Sequence, residues 1–266
     1  MAYHAETHHV SPTSMPAIRQ VAGDRPWMWL AAGWNDFTRS AGVSMAYGFV
    51  VTTIMVLAFF LLQSIHSYHI ALGLMAGFVF LGPVLAVGLY EISRRIEHRK
   101  AASLPDTWRG WRRNTGSVMA AGVVLVLLML TWFMLSMQTT AVLLGLSDGL
   151  GTVFAASQTW LDFALSIQWP LLLAFGLIGA VAVAVAFVLT VVAVPMLTDK
   201  EDMDVITAMV SSAQTVRKNP ATMVLWAGLL ALFTGMAVLP MFLGLIVVFP
   251  LLAYASWHAY RDLIEH

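Results

Sequence analysis

Glu91 and His258 are the two ionisable residues of this chain best placed to act together. Each stands eight positions after a proline, Pro83 or Pro250, in the matching stretches Pro83-Val84-Leu85-Ala86 and Pro250-Leu251-Leu252-Ala253. Each directly follows an aromatic residue, Tyr90 or Trp257, and each precedes an arginine by three, Arg94 or Arg261. A carboxylate and an imidazole in equivalent positions can approach and hold a small polar ligand, with the guanidinium groups offsetting the carboxylate charge. The pattern predicts a polar cluster of Glu91, His258, Arg94 and Arg261. The plainer reading is that these groups finish apolar helices at a membrane surface. A pair of this kind pins helices together without turning over a substrate.

Other chemistry is sparse. His66 and His69 are three apart, so a helix puts both imidazoles on one face, as a metal ion or haem iron requires. No carboxylate shares that turn, and the pair reads as a polar turn, a weak metal candidate. His4, His8 and His9 resemble a metal-binding tract but lie in a polar stretch that reads as a mobile tail. The absence of cysteine excludes disulfides, thiolate metal sites and iron–sulfur ligation. There is no phosphate-binding glycine loop, nucleophile elbow or His-Glu-x-x-His. The expectation is a chain with no catalytic residue, no cofactor and no resident metal, hence not an enzyme.

The elements that must position these residues are apolar. The chain is 59% hydrophobic and 11% charged over 266 residues, where a soluble domain carries about 25% charged residues. Six runs, roughly 44–64, 69–91, 117–138, 168–197, 221–239 and 241–258, approach the ~20 residues that cross a hydrocarbon core. Residues 221–258 would extend about 57 Å as one helix, too long for a single crossing, and Leu239-Pro240 offers a turn between two. Alternating the six runs across a bilayer places all 14 Lys and Arg residues on one side. Cytoplasmic loops retain Lys and Arg, so that side, with both termini, is expected to be cytoplasmic. No Asp, Glu, Lys or Arg falls at mid-depth, where a proton-coupled path would need one, and no His sits there to ligate a buried haem. The expected fold is an all-α membrane protein. It has six transmembrane helices as three hairpins, about 44–91, 117–197 and 221–258, with interfacial amphipathic helices. Residues 1–23 form a flexible tail and 24–266 one domain.

Trp27, Leu30, Trp34 and Phe37 recur at helical spacing after Asp24 and Pro26, which predicts a helix in the interface. Loop 92–116 holds seven cations with Leu104, Trp108 and Trp111. Arg109, Arg112, Arg113, Trp108 and Trp111 are therefore candidates for binding anionic lipid headgroups. In 139–167, Phe154, Trp160, Leu161 and Phe163 suggest a helix on the opposite surface. Segment 198–218 predicts another interfacial helix, opened by the capping pattern Thr198-Asp199-Lys200-Glu201 and stopped by Asn219-Pro220. A threefold repeat emerges: an interfacial helix, then a hairpin whose second helix carries a proline (Pro83, Pro195, Pro250).

The stretch Pro250-Leu251-Leu252-Ala253 through Trp257-His258-Ala259-Tyr260-Arg261-Asp262-Leu263, together with Trp29-Leu30-x-x-Gly33-Trp34-x-Asp36 and Pro83 to Glu91, resembles a bacterial integral membrane family, domain of unknown function 2189. The resemblance runs over about 25–266. It implies a multi-pass protein of the bacterial inner membrane and carries no activity with it. Three functions are open. The first is a non-catalytic accessory or assembly subunit of a larger respiratory or photosynthetic membrane complex, with membrane lipids and other membrane subunits as partners and no nucleic acid. The second is a small transporter or lipid-handling protein. The third is a haem- or quinone-binding redox subunit.

Overall fold

The computed structural model describes residues 15–64, 68–143 and 169–265. Its elements are helices: α1 (Arg25–Arg39), α2 (Ala41–Ser64), α3 (Tyr68–Leu85), α4 (Val87–Glu97), α5 (Leu104–Arg113), α6 (Thr115–Leu143), α7 (Trp169–Thr190), α8 (Ala193–Asp199), α9 (Val205–Lys218), α10 (Pro220–Val238) and α11 (Leu245–Leu263). Among the described residues, five stretches are long and apolar enough to cross a membrane: Ala41–Leu61, Gly77–Glu97, Thr115–Thr139, Leu173–Asp199 and Pro220–Val238. The sixth expected run falls in α11, which is not among them. Its second half carries His258, Arg261 and Asp262, and it is enclosed by α1, α2, α4, α8 and α10 rather than turned outward.

The repeat is visible in how short helices hand over to long ones. α1, α5 and α9 each end in one non-helical residue, Ser40, Asn114 or Asn219, and the next residue begins a long apolar helix. The prolines act unequally. Pro83 lies one turn before the break at Ala86, because its missing N–H weakens the helix ladder there. Pro195 falls in the first turn of α8, where no intrahelical donor is required, and Pro250 sits inside an unbroken α11.

Each short helix lies on the unit before it. α5 packs on α4, α9 packs on α7 and α8, and α1 closes the cycle by packing on α11. The α1 to α11 contact depends on Gly33: a Cβ there would lie 2.7 Å from Ala255 N and 2.9 Å from Leu251 O. Gly110 plays the same part for α5, where a Cβ would meet Val87 O at 2.7 Å. Long helices follow the cycle in two places, α2 against α11 and α6 against α3. The corresponding pair α7 and α10 does not pack closely among the described residues.

Several expectations shift. In α1 the residues turned inward are Trp29, Gly33, Asp36 and Phe37, whereas Trp27 and Trp34 of the expected stripe are exposed. The helix therefore has an apolar face on each side, one against α11 and one outward. The helix expected from 198 begins only at Val205, capped by Asp204, whose carboxylate accepts from Thr207 N at 2.9 Å. Thr198 and Asp199 instead finish α8, where the Thr198 hydroxyl donates to Val194 O and Asp199 serves a site described below. Residues 17–21, expected in a mobile tail, are bound: Arg19 N donates to Leu263 O, Glu265 N to Ala17 O, and Val21 N to Asn219 Oδ1. The expected helix within 139–167 falls mostly outside the described residues, as do His4, His8, His9 and His66.

Candidate functional site

The C-terminal stretch Trp257–Asp262 is the point where the three units meet. Successive side chains around this end of α11 reach different parts of the chain. Trp257 Nε1 donates to Glu97 Oε2 at 3.2 Å, at the end of α4. His258 Nε2 lies 2.8 Å from Asp36 Oδ2 of α1, and the same oxygen accepts from the Ser93 hydroxyl of α4. Tyr260 donates to Asp199 Oδ2 at 2.8 Å, and Arg261 spans Glu97 Oε1, at 2.7 Å, and Asp199 Oδ2, at 3.5 Å. Asp262 accepts from Arg25 at 2.6 and 2.7 Å and from Trp29 Nε1 at 2.9 Å. A helix end places consecutive residues about 100° apart around its axis, so one six-residue stretch can address neighbours on several sides.

The predicted cluster therefore splits in two. Glu91 takes Arg94, with Nε to Oε2 at 2.8 Å and Nη2 to Oε1 at 2.9 Å, a bidentate pair whose carboxylate is 1% exposed. His258 takes Asp36, and Arg261 takes Glu97 and Asp199. Among the described residues no hydrogen bond or ion pair joins Glu91 to His258. The Pro83 and Pro250 alignment puts both at the same end of their helices, but α5 lies over Glu91 and α1 lies over His258. Gly110 packs against the Glu91 Cβ, while Asp36 occupies the corresponding place over His258. The sequence reading passed over Asp36, Glu97, Asp199 and Asp262 as chemistry. One signal was present: Trp29, Gly33 and Asp36, quoted as one motif, all contact the helix that carries the other motif.

Glu91 and Arg94 open onto a second feature. A cleft of about 340 Å³ is lined by Glu91, Arg94, Arg95, Arg109, Arg112, Arg113 and Glu201. Three of the lipid-binding candidates, Arg109, Arg112 and Arg113, are thus brought together with two arginines of α4. Most of these guanidinium groups are fixed by the fold. Arg95 donates to Ala101 O at 2.9 Å and lies 3.4 Å from Asp106 Oδ2; Arg109 lies 2.7 Å from Asp106 Oδ1. Arg113 donates to the carbonyls of Thr198 and Asp199 and lies 3.1 Å from Glu201. Arg112 has no hydrogen bond or ion pair among the described residues. Asp106 itself sits below the ordinary carboxylate pKa. Its burial acts in the opposite sense but is outweighed by hydrogen bonds from Ser103 and by Arg95 and Arg109. Trp108 is 62% exposed beside the cleft, whereas Trp111 is half-buried and packs inward.

Among the described residues no group of three His, Cys, Asp or Glu is arranged to hold a metal ion. Of the weak pair, His66 lies outside the described residues and His69 is placed only as a position in α3.

Comparison with known proteins gives one match. Residues 70–199 fit the family model described as "Predicted integral membrane protein (DUF2189)". That stretch contains Pro83 through Glu91 and the whole arginine cleft except Glu201, but neither Trp29–Asp36 nor Pro250–Leu263. The match is therefore narrower than the resemblance over 25–266. No curated protein and no solved structure matches the chain. Over residues 70–199, the chain is thus similar to this family of predicted integral membrane proteins.

Proposed function

We propose that this protein is a six-span protein of the bacterial inner membrane with both termini in the cytoplasm. In this reading it serves as a non-catalytic accessory or assembly subunit of a larger respiratory or photosynthetic complex. α11 is the sixth span, sheltered from lipid by its neighbours, which is why it tolerates a polar second half. The single observation that carries a binding role is the use made of the polar residues. Asp36, Glu97, Asp199 and Asp262, together with His258, are each engaged in joining one helix to another. Asp36 is buried and Asp199, His258 and Asp262 are half-buried, and ionic groups spent in this way fix an arrangement of helices. The long helices meanwhile turn apolar faces outward: only 22% of the central window of Ala41–Leu61, and of Thr115–Thr139, is buried. Such faces accept lipid or the helices of a partner equally well. Purification of the full chain in mild detergent, with crosslinking before extraction, tests the reading. A stoichiometric set of other membrane proteins supports it; a lone particle in both crosslinked and uncrosslinked samples overturns it.

A lipid-handling role is favoured by one observation, the loose pairing of α7 and α10 where the repeat predicts close contact. Its measure is lipid exchange between leaflets of vesicles containing the purified protein.

A further inference from the structure

We infer that the arginine cleft is a binding site for one phosphate group carried by an anionic membrane lipid, with a phosphomonoester headgroup preferred. Five guanidinium groups line it, against the carboxylates of Glu91 and Glu201 in the lining and of Asp106 behind it. Two positive charges are left unmatched, and Arg112 has no partner among the described residues. A phosphomonoester near neutral pH carries between one and two negative charges and three strong acceptor oxygens. It matches that surplus where a phosphodiester, with one charge, leaves half of it. The planar guanidinium fork suits phosphate better than an ammonium does.

The cleft is also preorganised. Arg94 is held by Glu91, Arg95 by Ala101 O, and Arg113 by two carbonyls, so their rotamer freedom is already lost before a ligand arrives. At about 340 Å³ it admits a headgroup and not a lipid's chains. The chains have somewhere to go: Leu104 and Trp108 are exposed on the same helix, α5, whose polar residues line the cleft. An amphipathic helix with such a face lies in the interface, where lipid phosphate is the abundant anion. The source of the phosphate is therefore the bilayer rather than solution. This step rests on α5 lying at the membrane surface. The cysteine-free chain allows a separate check: Trp108→Cys carrying a polarity-sensitive dye should report an apolar environment in vesicles.

The test is native mass spectrometry of the full chain in a neutral detergent. Phosphatidic acid, phosphatidylglycerol and phosphatidylcholine are added separately, and inorganic phosphate is added as competitor. One phosphatidic acid is expected to remain bound, more tightly than phosphatidylglycerol, with phosphatidylcholine not retained. Arg112→Gln removes a charge that makes no described contact in the fold, and is expected to weaken phosphatidic acid by about tenfold or more. Arg112→Lys should retain part of the binding that Arg112→Gln loses, and Arg39→Gln, outside the cleft, should leave binding unchanged. Equal retention of the three lipids, or undiminished binding in Arg112→Gln, overturns the site. Displacement of the lipid by millimolar inorganic phosphate overturns the lipid as its source. A water-like signal from the Trp108→Cys dye, with selective binding intact, overturns the placement of α5 alone.

Discussion

Gly33→Ala probes the seam between the first and last helices. An added methyl would sit 2.7 Å from Ala255 N, 2.9 Å from Leu251 O and 3.0 Å from Ala255 Cα, where ordinary contacts are 3.4–4 Å. All three neighbours are backbone, so no rotamer change makes room, and α1 must lift off α11 by roughly half an ångström. Alanine gains about 1 kcal/mol over glycine inside a helix. Against this, overpacking costs about 1–3 kcal/mol. Stretching the charged hydrogen bonds from Arg25 and Trp29 to Asp262, and that between His258 and Asp36, adds about 1 kcal/mol or more. The expected balance is a loss of about 2 kcal/mol, or a fall in Tm of about 4–8 °C for a chain of this size. The assay is thermal unfolding in detergent alongside Gly228→Ala, where an added methyl meets nothing within 4 Å. That control should hold or raise Tm. A Gly33→Ala protein as stable as the control would refute the close contact.

Three further outcomes are expected. Glu91→Gln should destabilise the fold by about 3 kcal/mol, because it strips the half-buried Arg94 of its charge partner beside four other arginines; unfolding by denaturant in detergent measures it, and a change under 1 kcal/mol would contradict the pairing. Asp106, whose folded pKa is depressed, contributes stability that is complete above its unfolded value near 3.8 and is lost as pH falls through the folded value; Asp106→Asn should lower Tm at neutral pH, and its difference from the parent should shrink as the pH is lowered beyond 3.8. A reporter active only in the periplasm should be silent after His266 and active when inserted beside Asp148; activity after His266 would end the six-span topology.

The parts of this fold that were legible from sequence are those encoded locally. The helix after Asp24 and Pro26 and the halt at Asn219-Pro220 each follow from neighbours a few residues apart. What stayed hidden is which surface helix covers which long helix. That choice depends on Gly33 and Gly110, whose meaning lies in a backbone far along the chain. Asp36 sits 222 positions from His258, and no periodicity connects them. The capping pattern at Thr198 misled for a related reason. Its residues suit a helix start, but Asp199 is taken by Tyr260 and Arg261, so the next helix waits for Asp204.

The bridge between Ile18 and Ile264, with Arg25 on Asp262, brings the segment before α1 beside the end of α11. During synthesis α1 leaves the ribosome before the other described helices, yet α11, on which it rests, follows all of them. Until then the inward face of α1, with Trp29 and Phe37, must be shielded by lipid or by a chaperone. Loops joining such distant positions close slowly. Closure of this seam thus waits until translation has passed Leu263, and a chain cut short before residue 245 would present an unseated α1 for quality control to recognise. Conversely, a circular permutant that joins Glu265 to Ala17 and opens the chain at Arg99–Ala101 would let α1 and α11 emerge almost together, and should fold faster than the natural order.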